Sequence, residues 1–150
     1  MMLNIVPTNW FSWDFKVSDE SRPVADIALS RWRENGALAI DGVTYWVYRA
    51  VPLFGDFILE GAGGVLARAE KPSVFRCEFV IRHAGREYTL RRRSVFRRAF
   101  VLLEGSREVG SLAPTSAFTR KVAVDLPPNL PVPFRMFIVW LTVISWRRDN

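Results

Sequence analysis

Short apolar segments separated by turn residues fill most of the chain between positions 13 and 114. Within them, apolar and polar side chains alternate: Phe79 and Ile81 share one parity, whereas Glu78 and Arg82 take the other. A period of two is typical of half-buried strands. The pattern predicts strands at residues 14–17, 24–30, 37–40, 43–50, 57–60, 65–69, 75–83, 87–93, 97–103 and 108–113.

The residues between these segments are turn formers. Asp41-Gly42 is the strongest hairpin signal. Hairpin turns are also predicted at Ala84-Gly85 and at the glycine-rich segment 61–64. Because no helical periodicity intervenes, the segments predict an antiparallel meander. Nothing in the sequence blunts an exposed sheet edge, so we expect this many strands to curl into a closed barrel.

The last fifth of the chain has a different pattern. Four prolines lie in residues 126–134, and residues 136–146 are then apolar on both parities before Arg147 and Arg148. This run is long for a strand, and it predicts a helix. Arg135, Thr142 and Ser145 form only a faint polar stripe, so we expect the helix to be buried, in a protein core or in lipid.

Length decides how that helix is used. At about 1.5 Å per residue the apolar run spans roughly 16 Å, whereas a membrane-spanning helix needs about 20 apolar residues. We therefore predict a mainly β, closed antiparallel barrel that encloses the C-terminal hydrophobic α-helix, with a C-terminal membrane anchor as the alternative. All 150 residues form one domain in this prediction, with 1–12 as an N-terminal extension and 134–148 as the central helix.

Charge is concentrated in one part of the chain. The formal net charge is +6, and residues 76–98 contain eight arginines against two glutamates, which accounts for all of it. The rest of the chain has 13 residues of each sign. A field of this kind attracts phosphates or anionic lipid headgroups.

Few residues suit catalysis or metal binding. Cys77 and His83 are the chain's single cysteine and histidine, which excludes an internal disulfide and a Cys/His zinc cluster. Cys77 shares the parity of Phe79 and Ile81, which favours a buried thiol, and His83 begins a turn. The segment 61–64 lacks the Lys and Ser/Thr of a phosphate loop. We therefore predict no enzyme, no metal and no cofactor.

A series of hairpins followed by one hydrophobic helix resembles the tubby C-terminal-like superfamily, which includes the LURP-one-related proteins and the phospholipid scramblases. The similar stretches are residues 57–69, 86–91, 100–112 and 130–148. The resemblance implies a closed barrel of about twelve strands around the helix, and a non-enzymatic, lipid-binding or membrane-associated module. The calcium segment and cysteine cluster of scramblases have no counterpart here, since residues 125–129 contain one acid.

The densest basic segment is the candidate site. We expect its arginines to gather at the barrel rim and hold anionic lipid headgroups, while Val95 and Phe96 contact the membrane interface. The arginines are Arg91, Arg92, Arg93, Arg97 and Arg98. The same segment also fits a solvated connector, or a nucleic-acid-binding surface that stacks a base on Phe96. Residues 1–17 lack the pattern of a signal peptide, so we expect a cytoplasmic protein, at the membrane surface if the lipid prediction holds.

Overall fold

The structure is a computed structural model that describes residues 2–7, 14–19, 22–29, 35–51, 55–71, 78–93, 98–115 and 121–148. In these ranges it contains twelve strands and one helix. The elements are β1 (Met2–Pro7), β2 (Asp14–Asp19), β3 (Arg22–Leu29), β4 (Gly36–Ile40), β5 (Val43–Arg49), β6 (Phe57–Gly61), β7 (Gly64–Glu70), β8 (Glu78–His83), β9 (Arg86–Arg92), β10 (Phe100–Glu104), β11 (Arg107–Pro114), β12 (Val122–Asp125) and α1 (Val132–Arg148).

The sheet is a closed antiparallel barrel, as the sequence predicted. Each strand pairs with its neighbours in sequence, and β1 closes the ring by pairing with β12. The N-terminal extension was a wrong prediction for β1, because Leu3 and Ile5 are fully buried in the barrel wall. Two strands, β1 and β12, are missing from the sequence pattern; their core residues are Leu3 and Ile5, and Val122 and Val124.

Two of the predicted turns have the backbone that a tight hairpin requires. Asp41 and Gly42 both have positive φ angles, of 50° and 77°, and Ala84 and Gly85 have nearly the same values, 50° and 76°. Two successive positive φ angles define the type I′ turn, whose twist matches the twist of the flanking strands. The Asp-Gly signal therefore identified the β4–β5 hairpin correctly.

The up-and-down order gives the barrel two unlike ends. At one, which we call the hairpin end, strands are joined by turns of two residues, and the linker 126–131 leads from β12 into α1. At the other, the connection end, the segments 8–13, 30–35, 50–56, 71–77, 93–99 and 115–121 join the strands. Because α1 starts at the hairpin end and runs through the lumen, its C-terminal turn lies at the connection end.

Helix α1 fills the lumen, as predicted. Trp140 and Ile144 are fully buried, and Trp140 packs edge-to-face on Phe57 with the ring centroids 5.3 Å apart. The helix begins at Val132, two residues before the predicted start. No helix in the described ranges is long and apolar enough to cross a membrane.

The buried hydroxyl side chains of α1 form hydrogen bonds within the helix. The hydroxyls of Thr142 and Ser145 donate to the carbonyl oxygens of Ile138 and Leu141, at 3.0 and 2.8 Å. Such bonds to the preceding turn let hydroxyl residues occupy a buried helix. Arg135 is only 5% exposed, and its Nε donates to the carbonyl oxygen of Leu130 at 3.0 Å.

Candidate functional site

Topology collects the positive charge at the connection end. The described residues of the six connections, together with Arg147 and Arg148, contain six Lys or Arg and one acid, a net charge of +5. The described residues of the hairpin turns and of the linker 126–131 contain one acid and no cation, a net charge of −1. The described connections and the C-terminal turn of α1 therefore carry positive charge that the hairpin turns lack.

In sequence, each of the six connections contains at least one Phe or Trp, and all of these aromatic residues lie outside the described residues. Among the described residues of the connection end, Val51 is 55% exposed. Cations interleaved with aromatic residues are the composition that suits an interface between water and lipid.

Arg91 is the described member of the predicted cluster that faces solvent most openly. It lies on the outer face of β9, exposed, directly opposite Glu78 in the register of β8 and β9. No ion pair in the described ranges involves Arg91. It is therefore available to an external anion at small cost in existing contacts.

Arg92 takes a different position from the one predicted. We expected it to gather with the other arginines at the barrel rim. Strand β9 instead continues through Arg92, which is half-buried, with its guanidinium carbon 5.8 Å from the centroid of the Phe100 ring. A guanidinium tolerates this place because its flat face packs on an aromatic ring while the barrel mouth supplies solvent.

Arg93 and Arg98 each have a protein partner. Arg93 donates to Glu108 Oε1 at 2.6 Å, and both side chains are about half exposed, at 46% and 47%. Exposed pairs of this kind contribute about 0–1 kcal/mol, so an external anion can compete for Arg93. The guanidinium of Arg98 lies 4.6 Å from the centroid of the Trp146 ring, at the last turns of α1. There Arg98 also complements the partial negative charge of the helix C-terminus.

The structure thus divides the predicted site. Arg91 faces outward, Arg93 is paired on the outer wall, and Arg92 and Arg98 close the barrel mouth over aromatic rings. The other three predicted residues, Val95, Phe96 and Arg97, lie outside the described residues.

Cations contributed by other connections were missed in the sequence. Lys71 follows β7, Lys121 precedes β12, and Arg147 lies in the last turn of α1. They are far apart in the chain, and only the alternation of strand direction shows that they share one end. In an up-and-down meander, alternate connections lie at the same end of the barrel. Summing the charges of the two sets of connections separately would therefore have identified these cations.

His83 makes its contacts within the fold. The Nδ1 atom of His83 lies 2.9 Å from the carbonyl oxygen of Leu66, and its ring stacks on Phe134 with centroids 4.2 Å apart. Cys77 lies outside the described residues. Within the described ranges no group of three or more His, Cys, Asp or Glu could hold a metal ion.

A cleft of about 350 Å³ at the hairpin end contains both signs of charge. Arg86 and Glu104 form an ion pair of 3.6 Å across it. A hydrogen bond to Tyr88, and then the charge of Glu104, raise the pKa of Arg86. Since these charges compensate one another, the cleft is not a second basic surface.

In comparisons with protein-family models, curated proteins and solved structures, nothing matches the chain. The similarity to the tubby-like superfamily consequently stays a prediction, carried by the order of the elements alone.

Proposed function

We propose that the protein is a non-enzymatic module that docks end-on to membranes rich in anionic phospholipids, with the connection end toward the lipid. The division of charge between the two ends, +5 against −1 over the described residues, is the observation that carries this proposal. A flat anionic surface meets many cations at once only if they lie at the same end of the molecule. The tubby-like resemblance points in the same direction.

Two kinds of contact would hold the protein on the membrane. Each Lys or Arg near an anionic surface is worth about 1 kcal/mol, an attraction that falls off within a Debye length of about 8 Å at physiological salt. Arg91, Lys71 and Arg93 are the described cations best placed for this contact. Aromatic residues of the connections, Phe96 among them, would add apolar contact at the depth of the headgroups.

Cosedimentation with vesicles tests the proposal. One set of vesicles contains phosphatidylcholine alone, and the other contains phosphatidylcholine with phosphatidylserine. We expect binding to the anionic set only, and weaker binding at higher salt. Equal binding to both sets, or binding to a single-stranded oligonucleotide but not to vesicles, would contradict the proposal.

A pair of double variants locates the contact surface. Arg91→Gln with Lys71→Gln removes two cations at the connection end, whereas Arg22→Gln with Arg107→Gln removes two from strands at the hairpin end. Losing two contacts of about 1 kcal/mol each should weaken vesicle binding roughly thirtyfold. The hairpin-end variant has the same net charge, so we expect near wild-type affinity from it. Equal losses in the two variants would mean that net charge, and not this surface, decides binding.

A further inference from the structure

An apolar groove runs along the outer wall of the barrel over β3, β4 and β5. Its volume is about 460 Å³, within the range of small-ligand sites, and Ala28, Gly36 and Ala37 contribute to its floor. Ala28, Ala37 and Trp46 occupy one register row across the three strands. The two alanines of this row form the depression, and the larger Trp46 side chain forms one side of the groove.

The wall is aromatic and partly open to solvent. Trp46 is 55% exposed, the most exposed tryptophan in the described ranges, and Tyr48 lies next to it on the same face of β5. The Tyr48 hydroxyl already donates to Glu60 Oε1 at 3.1 Å. An exposed indole beside a groove of alanines leaves apolar surface uncovered, and such surface commonly marks a binding site.

The chemistry of the lining restricts the occupant. None of its side chains is charged, and its polar side-chain groups are the Asn35 amide, the Trp46 indole N–H and the Tyr48 hydroxyl. An extended peptide would gain no backbone partners, because β4 is paired on both sides by β3 and β5. A charged or hydroxyl-rich ligand would lose hydration without compensation. A hydrocarbon chain has no hydration or hydrogen bonds to lose on entering the groove, so it is the occupant that the lining favours.

The position of the groove connects it to the lipid-facing end. Gly36 is the first residue of β4, and Tyr48 is the last but one of β5, so the groove opens at the connection end. We propose that this wall groove takes up one acyl chain of a lipid held at the connection end. That the acyl chain comes from a membrane lipid rests on the function proposed above. The preference of the groove for apolar ligands follows from its lining residues alone.

Filling the groove tests the proposal with a matched control. Ala37→Phe places a ring on the groove floor, whereas Ala39→Phe adds the same ring on the same strand and face, outside the lining. The probe is N-dodecyl dansylamide, a neutral compound whose emission increases in apolar surroundings. We expect wild type and Ala39→Phe to bind it, and Ala37→Phe to bind about tenfold more weakly, since about two methylene groups lose their contact.

The results separate the possible occupants. Absence of probe binding by the wild type, or equal affinities of the two variants with coincident melting curves, would overturn the proposal. It would also be overturned if the wild type sediments as a dimer that Ala37→Phe dissociates, because the groove would then hold a second copy of the chain. If Ala37→Phe alone loses affinity for the probe, the groove is an apolar binding site even if the protein does not bind vesicles. In that case only the membrane proposal fails.

Discussion

The indole nitrogen of Trp146 donates a hydrogen bond to the carbonyl oxygen of Arg98 at 2.9 Å, although 48 positions separate the two residues. The bond ties the last turns of the lumen helix to the connection that carries the arginines. At this point the hydrophobic core and the basic end of the barrel meet. Disturbing it should therefore affect stability as well as the candidate surface.

Trp146→Phe should reduce the free energy of unfolding by about 1–3 kcal/mol, because it leaves the part-buried Arg98 carbonyl oxygen without its donor and removes part of a packed ring. Urea unfolding followed by circular dichroism measures the change. Trp46→Phe is the matched control: its indole is 55% exposed, so we expect a change within about 0.5 kcal/mol. Similar losses in both variants would show that the bond has little effect on stability.

Removing the helix should abolish the folded barrel. A chain that ends at Arg135 lacks most of α1, and the barrel would keep an empty lumen lined with apolar residues. We expect no cooperative thermal transition and strong binding of a hydrophobic dye, whereas a chain that ends at Arg148 should unfold like the wild type. A truncated chain that still melts cooperatively would mean that the strands need no central helix.

The absence of a side chain at Gly36 leaves room for the Ala28 carbonyl oxygen and the Trp140 ring. A Cβ atom on Gly36 would clash with the carbonyl oxygen of Ala28 and would lie 2.8 Å from Trp140 Nε1. Gly36→Ala should therefore destabilise the protein by about 1–3 kcal/mol, the usual cost of overpacking a core. Gly63→Ala, where the new atom meets nothing within 4 Å, should have a small effect in the same urea titration. Equal effects would contradict this packing.

Tyr48 predicts a loss of stability at alkaline pH. Desolvation, and then the hydrogen bond to Glu60, raise the pKa of Tyr48 above its ordinary value of 10.0. The folded state therefore holds this proton more tightly than the unfolded state, so the contribution to stability is present below pH 10 and is lost as the pH rises through the folded-state pKa. Tyr48→Phe should show a smaller decline in melting temperature above pH 10 than wild type, and parallel declines would contradict the shift.

Local pattern predicted the fold well because the strands alternate and the turns are marked. One short segment is enough to predict the β4–β5 hairpin. The alternation of Leu38 and Ile40 indicates a strand and its buried face, and Asp41-Gly42 marks the turn that follows. β1 was missed although it has two inward residues, as β4 has, because no two-residue turn marks either of its ends. Its membership depends on pairing with β12, at the far end of the chain, which no local window contains.

The candidate site was harder to predict because it is a property of topology. The sequence located the arginines at 91–98 but treated them as one set of ligands, whereas Arg91 and Arg92 face opposite sides of the wall. Lys71 and Lys121 join the same surface only because the strands alternate in direction. The wall groove over β3, β4 and β5 was missed as well. Its floor includes alanines, and their small side chains form a depression only because Trp46 and Tyr48 stand beside them in the folded sheet.

A fluorophore placed at either end of the barrel tests the docking most directly. In a Cys77→Ser background, Ala50→Cys labels the connection end and Ser106→Cys labels a hairpin turn, both at exposed positions. With an environment-sensitive dye and phosphatidylserine vesicles, we expect a blue shift and increased emission from position 50 and no change from position 106. A shift at position 106 alone, or equal shifts at both positions, would contradict end-on docking through the connection end.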